Sequence, residues 1–330
     1  MQKSVFIVDK MRVLDSALHT ISVGKEGMLA LENMLKSDLA ESFVAAVHLI
    51  AESRGRVIVT GLGKSGHIGS KIAATLASTG TPAFFVHAGE ANHGDLGMIT
   101  RDDIILALSW SGETVELKGI VNYSRRFHIP LIALTSGVRS SLGCQADIIL
   151  LLPKADEACP HGLAPTTSTL IQLALGDALA IALLETQHFS VCDFKMYHPG
   201  GSLGASLRFV KDIMHTGDAL PLVQVGTSIL EAMRVLVNGH FGCVAIVDRI
   251  GKLEGILTDG DIARNIMQDL SCISVDSVMT RSPKTVPPDM ITGAAISLIN
   301  KYRINTLLIT EDDKLVGIVS FHDLLGLGIF

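Results

Sequence analysis

Five short apolar, β-prone runs, each separated from the next by a helix-patterned stretch, constrain this chain more than any other feature. They are Arg56–Thr60, Ala83–Val86, Ile104–Leu108, Leu131–Leu134 and Ile148–Leu152. Helix patterns lie between and around them at about 66–79, 114–127, 139–145 and 166–187. The stretch from about 10 to 53 also looks helical, with Leu29, Leu31, Leu35, Leu39, Phe43, Val47 and Ile50 at mixed three and four spacing. Strands alternating with helices predict an α/β domain built on a doubly wound, five-stranded parallel sheet. Strands of such a sheet are buried on both faces, so continuous apolar runs are expected. Its active site belongs at the carboxyl ends of the strands.

The pattern changes after about residue 205. Val210-Lys211-Asp212-Ile213-Met214 resembles Val275-Asp276-Ser277-Val278-Met279, and Gly255–Asp261 resembles Gly317–Asp323. These offsets, about 62 to 65 residues, indicate one duplicated α+β unit. Each copy has a β-rich pair, Cys243–Val247 with Leu253–Leu257 and Thr306–Ile309 with Leu315–Val319. The glycines at Gly200, Gly201 and Gly204 mark the join. The expected division is 1–205, 206–271 and 272–330.

Bulk properties narrow the function classes. The 330 residues carry 48% apolar and 18% charged side chains, with net charge −6. A nucleic-acid surface would show a basic stripe, and none is expected here. Cys144, Cys159, Cys192, Cys243 and Cys272 are scattered and odd in number, which suits a reducing compartment better than a disulfide framework. The first residues have no apolar signal core. No stretch approaches the roughly 18 uncharged apolar residues of a membrane span. A cytoplasmic protein without membrane partners is expected.

Two strand ends can grip a phosphate. The first runs into Gly61-Leu62-Gly63-Lys64-Ser65, where glycine lets the backbone turn sharply and a following helix would aim free N–H groups at an anion. It is not a Walker A loop, because position 58 is Ile; an ordinary strand-to-helix turn is the plain alternative. The third runs into Ser109-Trp110-Ser111-Gly112-Glu113-Thr114. A helix cap explains one of these hydroxyls but not three. Thr166, Thr167, Ser168 and Thr169 open the long helix and suit either capping or ligand binding.

Ser109-x-Ser111-Gly112-x-Thr114 and Gly61-x-Gly63-Lys64-Ser65 resemble the sugar isomerase (SIS) domain. The duplicated units are similar to cystathionine-β-synthase (CBS) modules, with Thr258/Asp261 and Ser320/Asp323 in their Gly-h-h-Thr/Ser-x-x-Asp pattern. The order of one SIS domain and two CBS modules, with the strings GLGKSGHIG, GEANHGDLGM, EACPHGLAP and HPGGSLG, resembles the arabinose 5-phosphate isomerase family over nearly the whole chain. The resemblance implies an αβα sandwich followed by a tandem CBS pair. It also implies interconversion of D-ribulose 5-phosphate and D-arabinose 5-phosphate, toward Kdo and lipopolysaccharide, and a homotetramer. Gly63, Ser65, Ser109, Ser111, Thr114, Thr167 and Ser168 would hold the phosphate.

Aldose–ketose isomerisation needs a base beside the carbonyl and groups that move protons between two oxygens. The family's catalytic set falls on Lys64, His93, Glu116, Glu157 and His198. Glu157 suits the carbon-proton base, Glu116 or His93 the oxygen protons, and His198 ring opening or a neighbouring subunit's site. Each has a plainer reading: a dipole-compensating acid for Glu116, a solvated loop acid for Glu157, structural turns for the histidines. An enediol route requires no cofactor and no metal, although zinc could bind the histidines and acids and inhibit.

In the CBS pair, Thr258/Asp261 and Ser320/Asp323 suit either helix caps or a nucleotide, with CMP-Kdo a feedback candidate. Trp110 and Ala88 depart from the family pattern, where a small polar residue and a proline are more frequent. The alternatives are an isomerase of another sugar phosphate and a non-catalytic sugar-phosphate sensor. The retained acids and the lack of a basic helix–turn–helix argue against the sensor.

Overall fold

Apolar residues at consecutive positions satisfy a strand only if both its faces are covered, and the three central strands show this. The structure, a computed structural model, describes residues 9–198, 200–267, 269–270 and 273–328, with Cys192, Ser202 and Leu203 described by backbone alone. Cys272, Pro199 and the 271/272 boundary expected between the modules lie outside the described residues. Contacts divide the chain into two units, Met1–Ser190 and Val191–Phe330.

The first unit opens with α1 (Lys10–Leu35) and α2 (Ala40–Glu52). The single helical stretch expected at 10–53 is thus broken by a turn, in which Leu39 is fully buried and its N–H reaches back to Met34 O. Then follow β1 (Val57–Gly61), α3 (Gly63–Ser78), β2 (Ala83–His87), α4 (Ala88–Ala91), β3 (Ile104–Leu108), α5 (Lys118–Phe127), β4 (Leu131–Thr135), β5 (Ile148–Leu151) and α6 (Thr167–Thr186). The helix expected at 139–145 is absent; only a 3-10 turn at Gly143–Gln145 forms. The cause is local: Ser140 Oγ donates to Gly137 O and accepts from Gly143 N, which closes a tight turn instead.

All five strands are parallel, in the order β2-β1-β3-β4-β5. Every residue of β1, β3 and β4 is buried. Alternate strand residues feed two cores. Val57, Val59, Leu106 and Leu108 meet Ile72, Leu76, Ile171 and Leu175 on one face, while Ile58, Ile105 and Ala107 meet Leu117, Ile120 and Val121 on the other. The αβα sandwich is therefore real. The chain leaves β1 for β2 and returns to β3 on β1's other side, so the crevice of this sheet opens between the carboxyl ends of β1 and β3.

By length and composition α6 could cross a membrane. Burial explains its apolarity: Ile171, Leu175, Leu179 and Leu183 are all fully buried. Gly27 of α1 and Gly176 of α6 allow close helix contacts, since a Cβ there would meet Thr167 Cγ2 and Ile72 Cδ1 at 2.4 and 2.2 Å.

The second unit contains α7 (Val191–Tyr197), α8 (Gly201–Ser206), β6 (Leu222–Gln224), α9 (Ile229–Gly239), β7 (Cys243–Val247), β8 (Leu253–Thr258), α10 (Asp259–Asn265), β9 (Thr280–Arg281), β10 (Thr285–Val286), α11 (Thr292–Tyr302), β11 (Thr306–Glu311), β12 (Lys314–Ser320) and α12 (Phe321–Leu325). The duplication is visible in the pairing: β6-β7-β8 and β10-β11-β12 each join a parallel pair to an antiparallel one. The repeats interlock. Val210 and Met214 pack into the second repeat's core, and Val275 and Met279 into the first's. Gly317 and Gly255 make room for Met214 and Met279.

Candidate active site

The carboxyl edge of the sheet is a level row: Gly61 pairs with both His87 and Leu108, and Leu108 with Leu134. Loops leaving these residues carry most of the residues that the sequence singled out in the first unit, while Glu157, Thr167 and Ser168 follow β5.

At the β1 end, the helix begins earlier than its pattern suggested, so Gly63, Lys64 and Ser65 form its first turn. A Cβ on Gly61 would meet Gly66 N and Leu108 O at 3.2 Å, and one on Gly66 would meet Gly61 O at 3.1 Å, so small residues let α3 start directly over the strand. Leu62, the N-cap, offers no side-chain hydrogen bond. First-turn N–H groups have no partner within their own helix, which suits an anion. Gly63 has φ +59°, and among the described residues no atom beyond its chain neighbours and its own helix backbone lies within 4 Å of where its Cβ would be. Lys64 is exposed and Ser65 half-buried.

At the β3 end, the three hydroxyls divide their work. Ser109 is 2% exposed; its Oγ lies 2.8 Å from Thr114 Oγ1 and accepts from Gly112 N at 3.1 Å. Ser109 braces the loop. Ser111 is exposed, with Oγ accepting from Glu113 N, which leaves its own O–H to donate. Gly112 has φ +73°, and a Cβ there would sit 1.9 Å from Ser140 Oγ. The Glu113 carboxylate accepts from Ser141 N and Oγ at 2.8 and 2.6 Å. These bonds hold its carboxyl below the usual carboxylate range, the Ser141 hydroxyl foremost. The Trp110 ring packs against the first core, and its carbonyl accepts from Thr135 Oγ1, Ser136 N and Ser136 Oγ. A cavity of about 630 Å³ opens beside this loop, with Ser111, Glu113, Ser136, Arg139 and Lys154 in its wall. Arg139 and Lys154 were not singled out in sequence, because nothing in their local pattern distinguishes them from solvated loop cations.

Asn92 joins the β2 and β3 loops. Its Nδ2 donates to Ala88 O and Glu116 O, both at 3.1 Å. His93, the next residue, and Glu116 are both exposed, and this tie draws their loops together.

Glu157 is half-buried after β5, and the start of α6 closes around it. Its Oε2 accepts from Thr166 N at 2.6 Å, Thr166 Oγ1 at 2.9 Å and Ser168 N at 3.4 Å. Burial, the largest single influence, pushes its pKa up. Hydrogen bonds from the Ser168 hydroxyl and from Thr166 outweigh that and leave it below the ordinary glutamate value. Thr167 and Ser168 are both buried, and in this arrangement a carboxylate occupies the N-terminus they form. Thr166 emerges as Glu157's chief partner, which spacing alone could not show.

His198 belongs to the second unit. Its ring stacks on Phe194 at 4.0 Å between centroids, and its Nδ1 lies 3.0 Å from Phe194 O.

In the tandem repeat, both Thr/Ser–Asp pairs form capping boxes. Thr258 N and Oγ1 donate to Asp261 Oδ2 at 2.9 and 2.6 Å, and Ser320 N and Oγ donate to Asp323 Oδ2 at 2.8 and 2.6 Å. Both pairs also line cavities, of about 460 Å³ for Thr258/Asp261 and about 960 Å³ for Ser320/Asp323. Capping uses one carboxylate oxygen. Asp261 Oδ1 meets Arg264, and Asp323 Oδ1 meets His215 Nε2 at 3.1 Å.

Comparison with known proteins finds two domain families in the chain. The SIS domain matches residues 49–182, and the CBS domain matches residues 210–268 and 275–328. Arabinose 5-phosphate isomerase KdsD of Pseudomonas aeruginosa is 44% identical over 320 residues, 96% of this chain and 97% of that protein. The enzyme of the same name from Escherichia coli K12 is 43% identical over 313 residues, 93% of this chain and 95% of that protein. Among solved structures, an E. coli CFT073 protein in complex with arabinose 5-phosphate superposes with TM-score 0.55 at 38% identity, over 58% of this chain and 100% of that one.

Proposed function

We infer the roles of individual residues from one premise: the chain belongs to the arabinose 5-phosphate isomerase family. It is an aldose–ketose isomerase that interconverts D-ribulose 5-phosphate and D-arabinose 5-phosphate, a step that supplies Kdo and lipopolysaccharide synthesis. The observation that carries this is likeness along nearly the full length of both chains. The direct test is NMR of the purified protein with ribulose 5-phosphate. Arabinose 5-phosphate signals should grow in; their absence under conditions where the protein is folded would overturn the assignment.

The phosphate lies at the β1/β3 crevice. First-turn N–H groups of α3, Lys64, Ser65, Ser111 and Thr114 supply donors, and Ser109 keeps the loop in shape. Glu157, ionised and fixed by Thr166 and Ser168, takes the proton from C2 of the open-chain aldose. The C–H electron pair becomes the C1=C2 bond of the enediol while the carbonyl oxygen is protonated. Return of a proton to C1 and loss of the O2 proton give the ketose. His93 and Glu116, drawn together by Asn92, move the oxygen protons, and His198 serves ring opening or a neighbouring subunit's site. This route requires no cofactor or metal, and zinc on these histidines and acids would inhibit.

The exposed stripe Met11, Leu14, Leu18 and Ile21 on α1 supports the reading of a homotetramer, since apolar stripes of this kind mark contact surfaces. Light scattering of Leu18→Glu, against wild type, tests it. A cytoplasmic location fits the cysteine pattern. The tandem repeat is read as a nucleotide or CMP-Kdo module, supported by its two cavities. Thermal-shift titration with ATP, AMP and CMP-Kdo checks that reading; no shift with any of them would reduce the repeat to an assembly element.

A further inference from the structure

The two cavities of the tandem repeat are built alike but charged differently. Because the repeats interlock, each cavity takes its capping pair from one repeat and its opposite wall from the other. Thr258/Asp261 faces Thr280, Lys284 and Arg303. Ser320/Asp323 faces His215, Ala219 and His240. These walls correspond position by position. Thr280 and His215 each follow the methionine of the repeated Val-x-x-x-Met segment, and Lys284 and Ala219 lie four residues further on. Arg303 and His240 each terminate the helix of their repeat in the left-handed conformation, with φ +52° and +59°.

The substitutions all run in one direction. Lys284 Nζ lies 4.8 Å over the ring of Tyr302, the residue before Arg303, and Lys284 and Arg303 line the same cavity. The corresponding wall has Ala219 and, before His240, Gly239. Arg264, Lys284 and Arg303 thus face Asp259 and Asp261 in the smaller cavity. The larger has Asp218, Asp259 and Asp323, and among the described residues neither lysine nor arginine lines it. Its basic groups are His215, His240 and His322. Imidazole is not a permanent cation near neutral pH, and His215 is already bonded to Asp323. A phosphate entering there meets carboxylates without fixed counter-charges.

We propose that a phosphate-bearing nucleotide occupies the Thr258/Asp261 cavity alone, one per chain, with Lys284 and Arg303 selecting for its phosphate. This rests on reading the tandem repeat as a nucleotide module. Isothermal titration of the full chain with ATP and with adenosine separates the two ideas. Wild type should bind ATP at one site per chain. Lys284→Gln with Arg303→Gln should weaken ATP at least 30-fold and adenosine no more than threefold, while His240→Gln changes ATP less than threefold. The converse variant, Ala219→Lys with His240→Arg, should create a second ATP site, a gain that a misfolded protein could not mimic. Two equal sites in wild type, an unchanged affinity in the Lys284/Arg303 variant, or no second site in the converse variant overturns the proposal while leaving the nucleotide reading intact. Failure of ATP and adenosine to bind at all removes both.

Discussion

Glu157 Oε2 accepts both the backbone N–H and the hydroxyl of Thr166, at 2.6 and 2.9 Å. One carboxylate thus serves as cap of α6 and as the proposed carbon base. The two duties separate under substitution. Glu157→Gln keeps an oxygen acceptor for Thr166 but cannot take a proton. Exchange of the C2 proton with solvent, followed by NMR in D₂O, should fall by roughly 10²–10⁴-fold with little loss of melting temperature. Glu157→Ala should lose exchange equally and also about 0.5–2 kcal/mol of stability, the usual worth of a cap. Retained exchange in the glutamine variant would remove Glu157 as the base.

Asn92 bridges the His93 and Glu116 loops, and Gly119 is what makes room for it. A Cβ on Gly119 would lie 1.8 Å from Asn92 Oδ1. Asn92→Ala and Gly119→Ala should therefore damage the same contact. Each is expected to lower kcat/KM about tenfold, roughly the 1.4 kcal/mol of one lost positioning bond. The double variant should be no worse than the poorer single one, because contacting residues are not additive. Additive losses would show that the two act separately.

How much of this was visible in sequence depends on the range of the interaction. The β1, β3 and β4 strands were legible because strands covered on both faces must be apolar throughout. The Gly61–Ser65 and Ser109–Thr114 loops could be placed from sequence because each directly follows one of these apolar runs. The pairing of Asn92 with Glu116 and of Glu157 with Thr166 was not, since each joins loops whose approach is decided by the sheet. The failed helix at 139–145 has a local origin instead: Ser140 closes a tight turn, and Gly143 is pressed against Val138 O, where a Cβ would lie at 2.5 Å. Interlocking of the repeats was hidden too, because duplication reveals the unit and not which copy's segment packs on which.

Asp103 is the most deeply buried carboxylate among the described residues. It is 1% exposed and accepts from Arg56 N, Nε and Nη2 and from Thr100 N. Burial is the largest influence and raises its pKa, yet these bonds together hold it below the ordinary aspartate value. Asp147, Glu157, Asp261 and Asp323 are also depressed. A depressed folded pKa contributes stability that is fully present above the unfolded value and lost as pH falls through the folded one. Melting temperature should accordingly hold level from pH 7 to about 5 and drop below about pH 4. Asp103→Asn should cost roughly 1.5–3 kcal/mol at neutral pH, less than a fully buried ion pair because Arg56 is partly solvated. An Asp103→Asn variant as stable as wild type at pH 7 would contradict this.

Two residues beyond Glu157, Cys159 reports on the same loop. Backbone N–H groups of the 161–164 turn, that of Ala164 foremost, lower its pKa. Cys243, by contrast, is buried in the tandem repeat and its thiol is pushed up to about 11. Since the thiolate is the reactive form, iodoacetamide at pH 8 should modify Cys159 well before Cys243, as read by peptide mass spectrometry over a time course. Ribulose 5-phosphate should slow labelling of Cys159 and leave Cys243 unaffected, because substrate seated against Glu157 covers the adjoining turn. Equal rates at the two cysteines would contradict the assigned thiol environments, and labelling of Cys159 that ignores substrate would place the reacting carbon away from this loop.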